Sequence, residues 1–187
     1  MPPIVDADAL VVLGGSMSCQ DDAEAPWLAP TRQLISRTVR AGTPFLGICL
    51  GHQLATVALG GQVCTSDHFC LGAAEMHLTP EGKKDPLLSV YDGHRGIHFN
   101  NDVAVVLPED AVLLARDPTG QIEAVRFAER AWGVQFHPEC TPEIFDAWTI
   151  GHGEKEWQQR LPWSEAVTVA ETVRRDIDTV NAEEAFA

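Results

Sequence analysis

Residues 44–61, Pro-Phe-Leu-Gly-Ile-Cys-Leu-Gly-His-Gln-Leu-Ala-Thr-Val-Ala-Leu-Gly-Gly, restrict the fold of this chain more than any other stretch. Phe45, Leu46, Gly47 and Ile48 form an apolar run with the length of a buried parallel strand. The chain then turns abruptly at Cys49-Leu50-Gly51. Beyond the turn, Leu54, Ala55, Val57, Ala58 and Leu59 predict a helix with one broad apolar face, stopped by Gly60-Gly61. A cysteine at the tip of such a turn is held out from the backbone, and Gly47 and Gly51 remove side chains that would clash where helix meets strand. The helix N-terminus beside the sulfur favours thiolate and can stabilise an oxyanion. Read alone, Cys49 fits a small buried hydrophobe better than a nucleophile.

The flanking segments set the fold class. Leu10–Leu13 is a buried-strand candidate that runs into Gly14-Gly15-Ser16, followed by a polar, acidic loop over residues 16–26. Paired glycines at a strand end can present N–H groups to an anion or simply form a tight turn. No Gly-x-Gly-x-x-Gly or Gly-Lys-Ser/Thr accompanies them, so a nucleotide site is disfavoured. Trp27 to Arg40 has helical spacing at Trp27, Leu28, Leu34, Ile35 and Val39, and Gly42 ends it. Strand, helix, strand, helix predicts an α/β fold with an open, mostly parallel sheet.

Beyond Gly61 the periodicity changes. Short strands are expected at Gln62–Cys64, Ala73–Thr79, Val103–Leu107, Ala111–Ala115, Ile122–Arg126 and Trp132–Phe136. The links between them carry Pro, Glu, Asp and Gly rather than helical patterns, which predicts an antiparallel or mixed extension of the sheet. Asn100-Asn101-Asp102 is placed at a strand entrance. A helix over Thr141–Trp148 is expected, capped by Thr141 with Pro142 first, then a connection over 150–162 and a long helix from Ser164 to Phe186.

His137 and Glu139 stand two apart after an apolar run. If the strand geometry continues through Pro138, imidazole and carboxylate project to one side and the carboxylate orients the ring. Such a histidine could take the proton of a distant cysteine, which is the nucleophile–base–orienter arrangement of several unrelated folds; it could also be merely structural.

Taken together, Gly47-Ile48-Cys49-Leu50-Gly51-His52-Gln53 and Gln135-Phe136-His137-Pro138-Glu139 resemble the motifs of class I, triad-type glutamine amidotransferase domains, in the same order and after a Gly14-Gly15 pair. The resemblance covers roughly residues 8–148 and is nearest to small, stand-alone, GMP-synthase-like members, whose acidic loop also leads into Pro-Trp-Leu (26–28 here). It implies a flavodoxin-like sheet with helices on both faces, in a single domain over 1–187 whose residues 149–187 are a helical tail. It implies that Cys49 attacks the glutamine side-chain amide and forms a γ-glutamyl thioester, that His137 is general base and then acid, and that Glu139 orients it. It also implies an oxyanion hole from the N–H groups of Gly15 and Leu50, and substrate contacts from Gly14, Gln53, Asn100 and Asn101. His52 is read as structural. The family often carries His-x-Asp where Asn100-Asn101-Asp102 stands, and its chains usually begin one strand–helix–strand unit earlier. The resemblance therefore implies either a chain shortened at the N-terminus or another element in place of the opening strand.

Composition excludes other classes. Thirteen basic against 27 acidic residues leave a net charge of −14, the opposite of a nucleic-acid-binding face. No apolar run of membrane-spanning length and no leader pattern is visible, so a cytoplasmic setting is expected. Five cysteines at wide spacing suit free thiols, and no His-Glu-x-x-His or Cys-x-x-Cys predicts a metal site or cofactor. The expected substrate is glutamine or another γ-glutamyl compound. No room remains for a synthetase module, so a separate synthetase subunit is the expected partner. A self-sufficient γ-glutamyl hydrolase, a non-catalytic regulatory homologue and, more distantly, an esterase are the other readings.

Overall fold

The computed structural model describes residues 7–151, 168 and 171–177. Its elements, in chain order, are β1 (Leu10–Val12), α1 (Leu28–Arg40), β2 (Phe45–Ile48), α2 (Leu50–Ala58), β3 (Gln62–Glu75), β4 (His77–Leu78), β5 (Arg95–Val106), β6 (Val112–Arg116), β7 (Ile122–Ala128), β8 (Ala131–Val134) and α3 (Pro142–Gly151). Six strands form one open sheet in the order β1-β2-β8-β7-β6-β4. Its first three strands are parallel, and β7, β6 and β4 add the expected antiparallel extension.

Side-chain alternation along β2 builds two cores. Phe45 joins Leu28 and Ile35 of α1, Leu54 of α2 and Phe127 on one face of the sheet. Leu46 and Ile48 point the other way, among Met76, Leu88, Val134 and Phe136. Each such buried aliphatic side chain contributes roughly 1.5–3 kcal/mol. β2 is thus clamped from both sides, and the turn that follows it inherits that rigidity.

A glycine trough lets α2 lie close to the sheet. Gly47 of β2 and Gly133 of β8 are register neighbours. A Cβ on Gly47 would sit 2.6 Å from the Gly51 carbonyl carbon, and one on Gly133 would sit 2.5 Å from the His52 ring. Both are closer than atoms approach, so the first turn of α2 can occupy this position only above a surface without side chains.

The remaining strands depart from expectation. Gln62–Cys64 and the start of Ala73–Thr79 are parts of one long strand, β3, and the strand expected at Val103–Leu107 is the end of β5, which stops at Val106. Among the described residues these two strands pair only with each other, as a separate antiparallel ribbon. Asn100-Asn101-Asp102 therefore lies within β5 rather than at a strand entrance. Hydrogen bonds that anchor the ribbon include His137 N–H to Ile97 O (2.8 Å), Gln53 Nε2 to Asp102 O (2.8 Å), and the His98–Glu123 pair (2.6 Å). The ribbon, Phe145 of α3 and residues Val173 and Ile177 form a third core.

α3 starts as the sequence predicts, with Ile144 N–H donating to Thr141 Oγ1 at 3.3 Å. It extends to Gly151, into the expected connection. Of the helix expected over Ser164–Phe186, residues 168 and 171–177 are helical; its remainder and 152–162 lie outside the described residues.

Candidate active site

Cys49 occupies the N-cap of α2 with φ 51° and ψ −106°, and among the described residues it alone, glycines apart, has positive φ. Its N–H donates to Val134 O (2.8 Å) and its carbonyl accepts from Gln53 N–H (3.0 Å). These bonds to β8 and to α2 hold the strained turn in place. The N–H groups of Leu50 and its successors open α2 and lack intrahelical acceptors, as at any helix start.

His137 does not continue a strand. β8 ends at Val134, and His137–Glu139 form a turn closed by Cys140 N–H to His137 O (3.2 Å). Pro138 has no N–H to continue a ladder, and His137 bonds to β5 instead. The expected pairing arises from this turn: His137 Nδ1 lies 2.8 Å from Glu139 Oε1. The Cys49 side chain acts on the same ring, and with Nδ1 taken by Glu139 the nitrogen available to the sulfur is Nε2. Burial opposes a charge on this ring, but the bonds to Cys49 and Glu139 outweigh it and push the His137 pKa up to about 9. Cys49, His137 and Glu139 thus meet in one place.

The glycine pair stands beside them. A Cβ on Gly14 would lie 2.9 Å from His137 Cε1 and 3.6 Å from Cys49 Cβ, and one on Gly15 would lie 2.8 Å from Leu50 Cδ2. The structure therefore groups Gly14 and Gly15 with the start of α2, where two backbone donors can face one oxygen.

These residues line a cavity of about 760 Å³ that also reaches Gln53, Asn100, Asn101 and Asp102. Gln53 is buried, its Nε2 shared between Asp102 O and Gln135 Oε1 (3.2 Å), so it ties α2 to the ribbon as well as lining the site. Asn100 Nδ2 donates to Asp102 O (3.2 Å), while its Oδ1 is buried without a partner among the described residues. Asp102 accepts from Thr65 Oγ1 (2.9 Å). His52 points away from the sulfur, wholly buried against Phe127 (ring centroids 5.8 Å); burial lowers its pKa to about 4.

Three lining residues were not singled out from the sequence. Trp148 of α3 lies against His137 with ring centroids 4.5 Å apart, followed by Phe99 (6.1 Å from Trp148) and Phe69 (5.4 Å from Phe99). Trp148 reads as a core position of an amphipathic helix, and Phe69 and Phe99 lie outside every predicted strand. Only the packing of α3 on the ribbon brings the three rings to the site.

Residues 3–151 match the family described as glutamine amidotransferase class-I. The chain is 32% identical to a glutamine amidotransferase-like protein, YfeJ, of Salmonella typhimurium, over 83% of this chain and 66% of that one. It is 29% identical to one subunit of the glutamine-hydrolysing GMP synthase of Methanothermobacter thermautotrophicus, over 72% of this chain and 66% of the relative. The chain thus spans just under two thirds of these relatives, and a fifth (20%) of the larger GMP synthase of Marinobacter nauticus. Among solved structures it resembles a glutamine amido transferase of Methylobacillus flagellatus (TM-score 0.80, 25% identity, 97% of this chain and 75% of the other). A glutamine amidotransferase of Thermotoga maritima shares the fold (TM-score 0.79, 22% identity, 97% and 76%).

Proposed function

The chain belongs to the class-I glutamine amidotransferase family, and from that premise we propose that it hydrolyses the side-chain amide of glutamine through a γ-glutamyl thioester on Cys49, releasing ammonia for a separate acceptor or synthetase subunit. The supporting observation is the convergence of Cys49, His137 and Glu139 on one cavity beside Gly14, with His137 Nδ1 hydrogen-bonded to Glu139 Oε1 at 2.8 Å. Cys49 passes its thiol proton to His137 and its sulfur attacks the amide carbon. The resulting oxyanion is taken by the N–H groups of Gly15 and Leu50, each donor being worth on the order of 10²–10³ in rate. The His137 imidazolium gives its proton to the departing nitrogen, and ammonia leaves as the thioester forms. His137, now neutral, draws a proton from water, which attacks the thioester and frees glutamate and the thiol. Glu139 holds the ring tautomer and supports the imidazolium. Gln53, Gly14, Asn100 and Asn101 are assigned to the amino-acid end of the substrate.

The Methanothermobacter relative is named as one subunit of a glutamine-hydrolysing synthase, which supports a partner that consumes the ammonia. The test combines product release with trapping. Glutamate and ammonia should appear in equal amounts from glutamine, and a diazoketone analogue of glutamine should label Cys49 alone among the five cysteines. Failure of both would remove the proposed chemistry.

A further inference from the structure

The cavity is larger and more apolar on one side than glutamine requires. At about 760 Å³ it falls within the roughly 300–1,000 Å³ range of pockets that hold drug-sized ligands, and a single amino acid fills only part of such a space. Its lining is divided by chemistry. Asp21, Thr65, Asn100, Asn101 and Asp102 offer polar and acidic groups that suit the ammonium and carboxylate of a γ-glutamyl unit. Trp148, Phe99, Phe69 and Ile144 offer only apolar surface and an indole edge.

The position of the apolar row matters as much as its composition. His137 hands its proton to the leaving nitrogen, so the substituent on that nitrogen must lie on the His137 side. Trp148 packs on the His137 ring at 4.5 Å, and the row continues outward through Phe99 and Phe69 at 6.1 and 5.4 Å. All three rings are half-buried, with part of their surface turned to the cavity. Ammonia makes no use of such a surface, whereas an aryl or arylalkyl group would bury its faces there at the favoured ring-to-ring spacing of about 4.5–7 Å.

We propose that this site also accepts, as a further substrate class, γ-glutamyl amides of aromatic primary amines, the amine's ring resting on Trp148 and Phe99. The inference rests on the γ-glutamyl thioester reading above. The Cys49 thiol gives its proton to His137 and its sulfur forms a bond to the γ-carbonyl carbon; the C–N bond breaks as His137 passes that proton to the amine, which departs neutral. Water then cleaves the thioester to glutamate and thiol. Net, one amide and one water give one amine and one glutamate.

γ-Glutamylbenzylamide and γ-glutamylmethylamide separate the ring from the chemistry, because both release an alkylamine. With the full chain, kcat/KM for the benzylamide should exceed that for the methylamide by at least about tenfold, in the range an apolar pocket discriminates. Trp148→Leu and, separately, Phe99→Leu should bring that ratio toward one, whatever each does to the absolute rate. A wild-type ratio of one or below overturns the inference, and so does a ratio unmoved in both variants; glutamine turnover in either case leaves the proposed function standing. If glutamine and both amides are all inert, the thioester reading fails and this inference fails with it.

Discussion

The two walls of the cavity are built from opposite materials. The wall that carries Cys49 is made of backbone: a strand end, an exposed glycine pair, a helix start, and the trough of Gly47 and Gly133 beneath it. The facing wall, from β5 and α3, is made of large side chains that touch through their rings. Where atoms are placed by main-chain hydrogen bonds, one added methyl forces the whole unit to move. Where they are placed by side-chain packing, a substitution leaves a space that neighbours partly fill. Chemistry sits on the unforgiving wall and selectivity on the tolerant one.

The largest effect that would break this contrast is at the sulfur. Cys49→Ala should lower kcat/KM for glutamine by roughly 10⁵–10⁶-fold, the scale on which a lost nucleophile acts. Glutamate release above a hundredth of the wild-type rate would mean that the backbone wall does not hold the reacting atom.

Glu139→Gln should cost less, roughly 10²–10⁴-fold, because it removes an orienting group and not the bond-forming one. Its pH profile is more telling than its rate. Burial depresses the His137 pKa, but the bonds to Cys49 and Glu139 raise it to about 9, so wild-type activity should persist until the imidazolium loses its proton near that pH. Without the Glu139 charge the alkaline limb should move to lower pH. An unmoved limb would show that Glu139 does not support the charged ring.

Stability measurements sharpen the comparison further. A Cβ on Gly133 meets the His52 ring at 2.5 Å and Phe127 at 2.6 Å, so Gly133→Ala should destabilise the fold by about 2 kcal/mol or more in urea titrations. Phe99→Leu, on the other wall, should cost less than about 1.5 kcal/mol. Equal costs would erase the distinction between the walls.

Two of the buried histidines, His137 and His52, give pH-dependent effects of opposite sign. His137 has a folded pKa above its unfolded value, so its contribution is complete below pH 6.5 and is lost as pH rises toward about 9. His52 has a folded pKa lowered to about 4 by burial. Between pH 6.5 and 4 the unfolded chain binds a proton that the folded chain refuses, and stability falls as pH drops through that window. His52→Leu should flatten this acid limb and leave the alkaline one in place. An acid limb as steep as before would assign the proton elsewhere.

The legibility of the two walls in the sequence differs for the same physical reason. The backbone wall is local: Gly47, Cys49 and Gly51 fall within five consecutive residues, and their identities alone imply the turn and the close approach of the helix. Thr141 and Pro142 were readable on the same basis. The His137–Glu139 pairing was expected along a strand but forms in a turn, because Pro138 cannot continue the ladder. The side-chain wall is a product of distant packing. β3 and β5 shift register between Thr65 and Cys70, which erases the alternation that would mark two long strands. Trp148, on α3, carries nothing in its local pattern that distinguishes it from core.

The positive φ of Cys49 has a consequence for inheritance. At 51° an L-residue carries strain of about 1–3 kcal/mol, whereas glycine rests there freely. Cys49→Gly should therefore be more stable than Cys49→Ala despite its smaller side chain, by about 1 kcal/mol. Cysteine and glycine codons differ by a single nucleotide. A lineage no longer under selection for turnover lies one mutational step from a relaxed and inert descendant, and glycine at this position is the mark such a retired copy would bear.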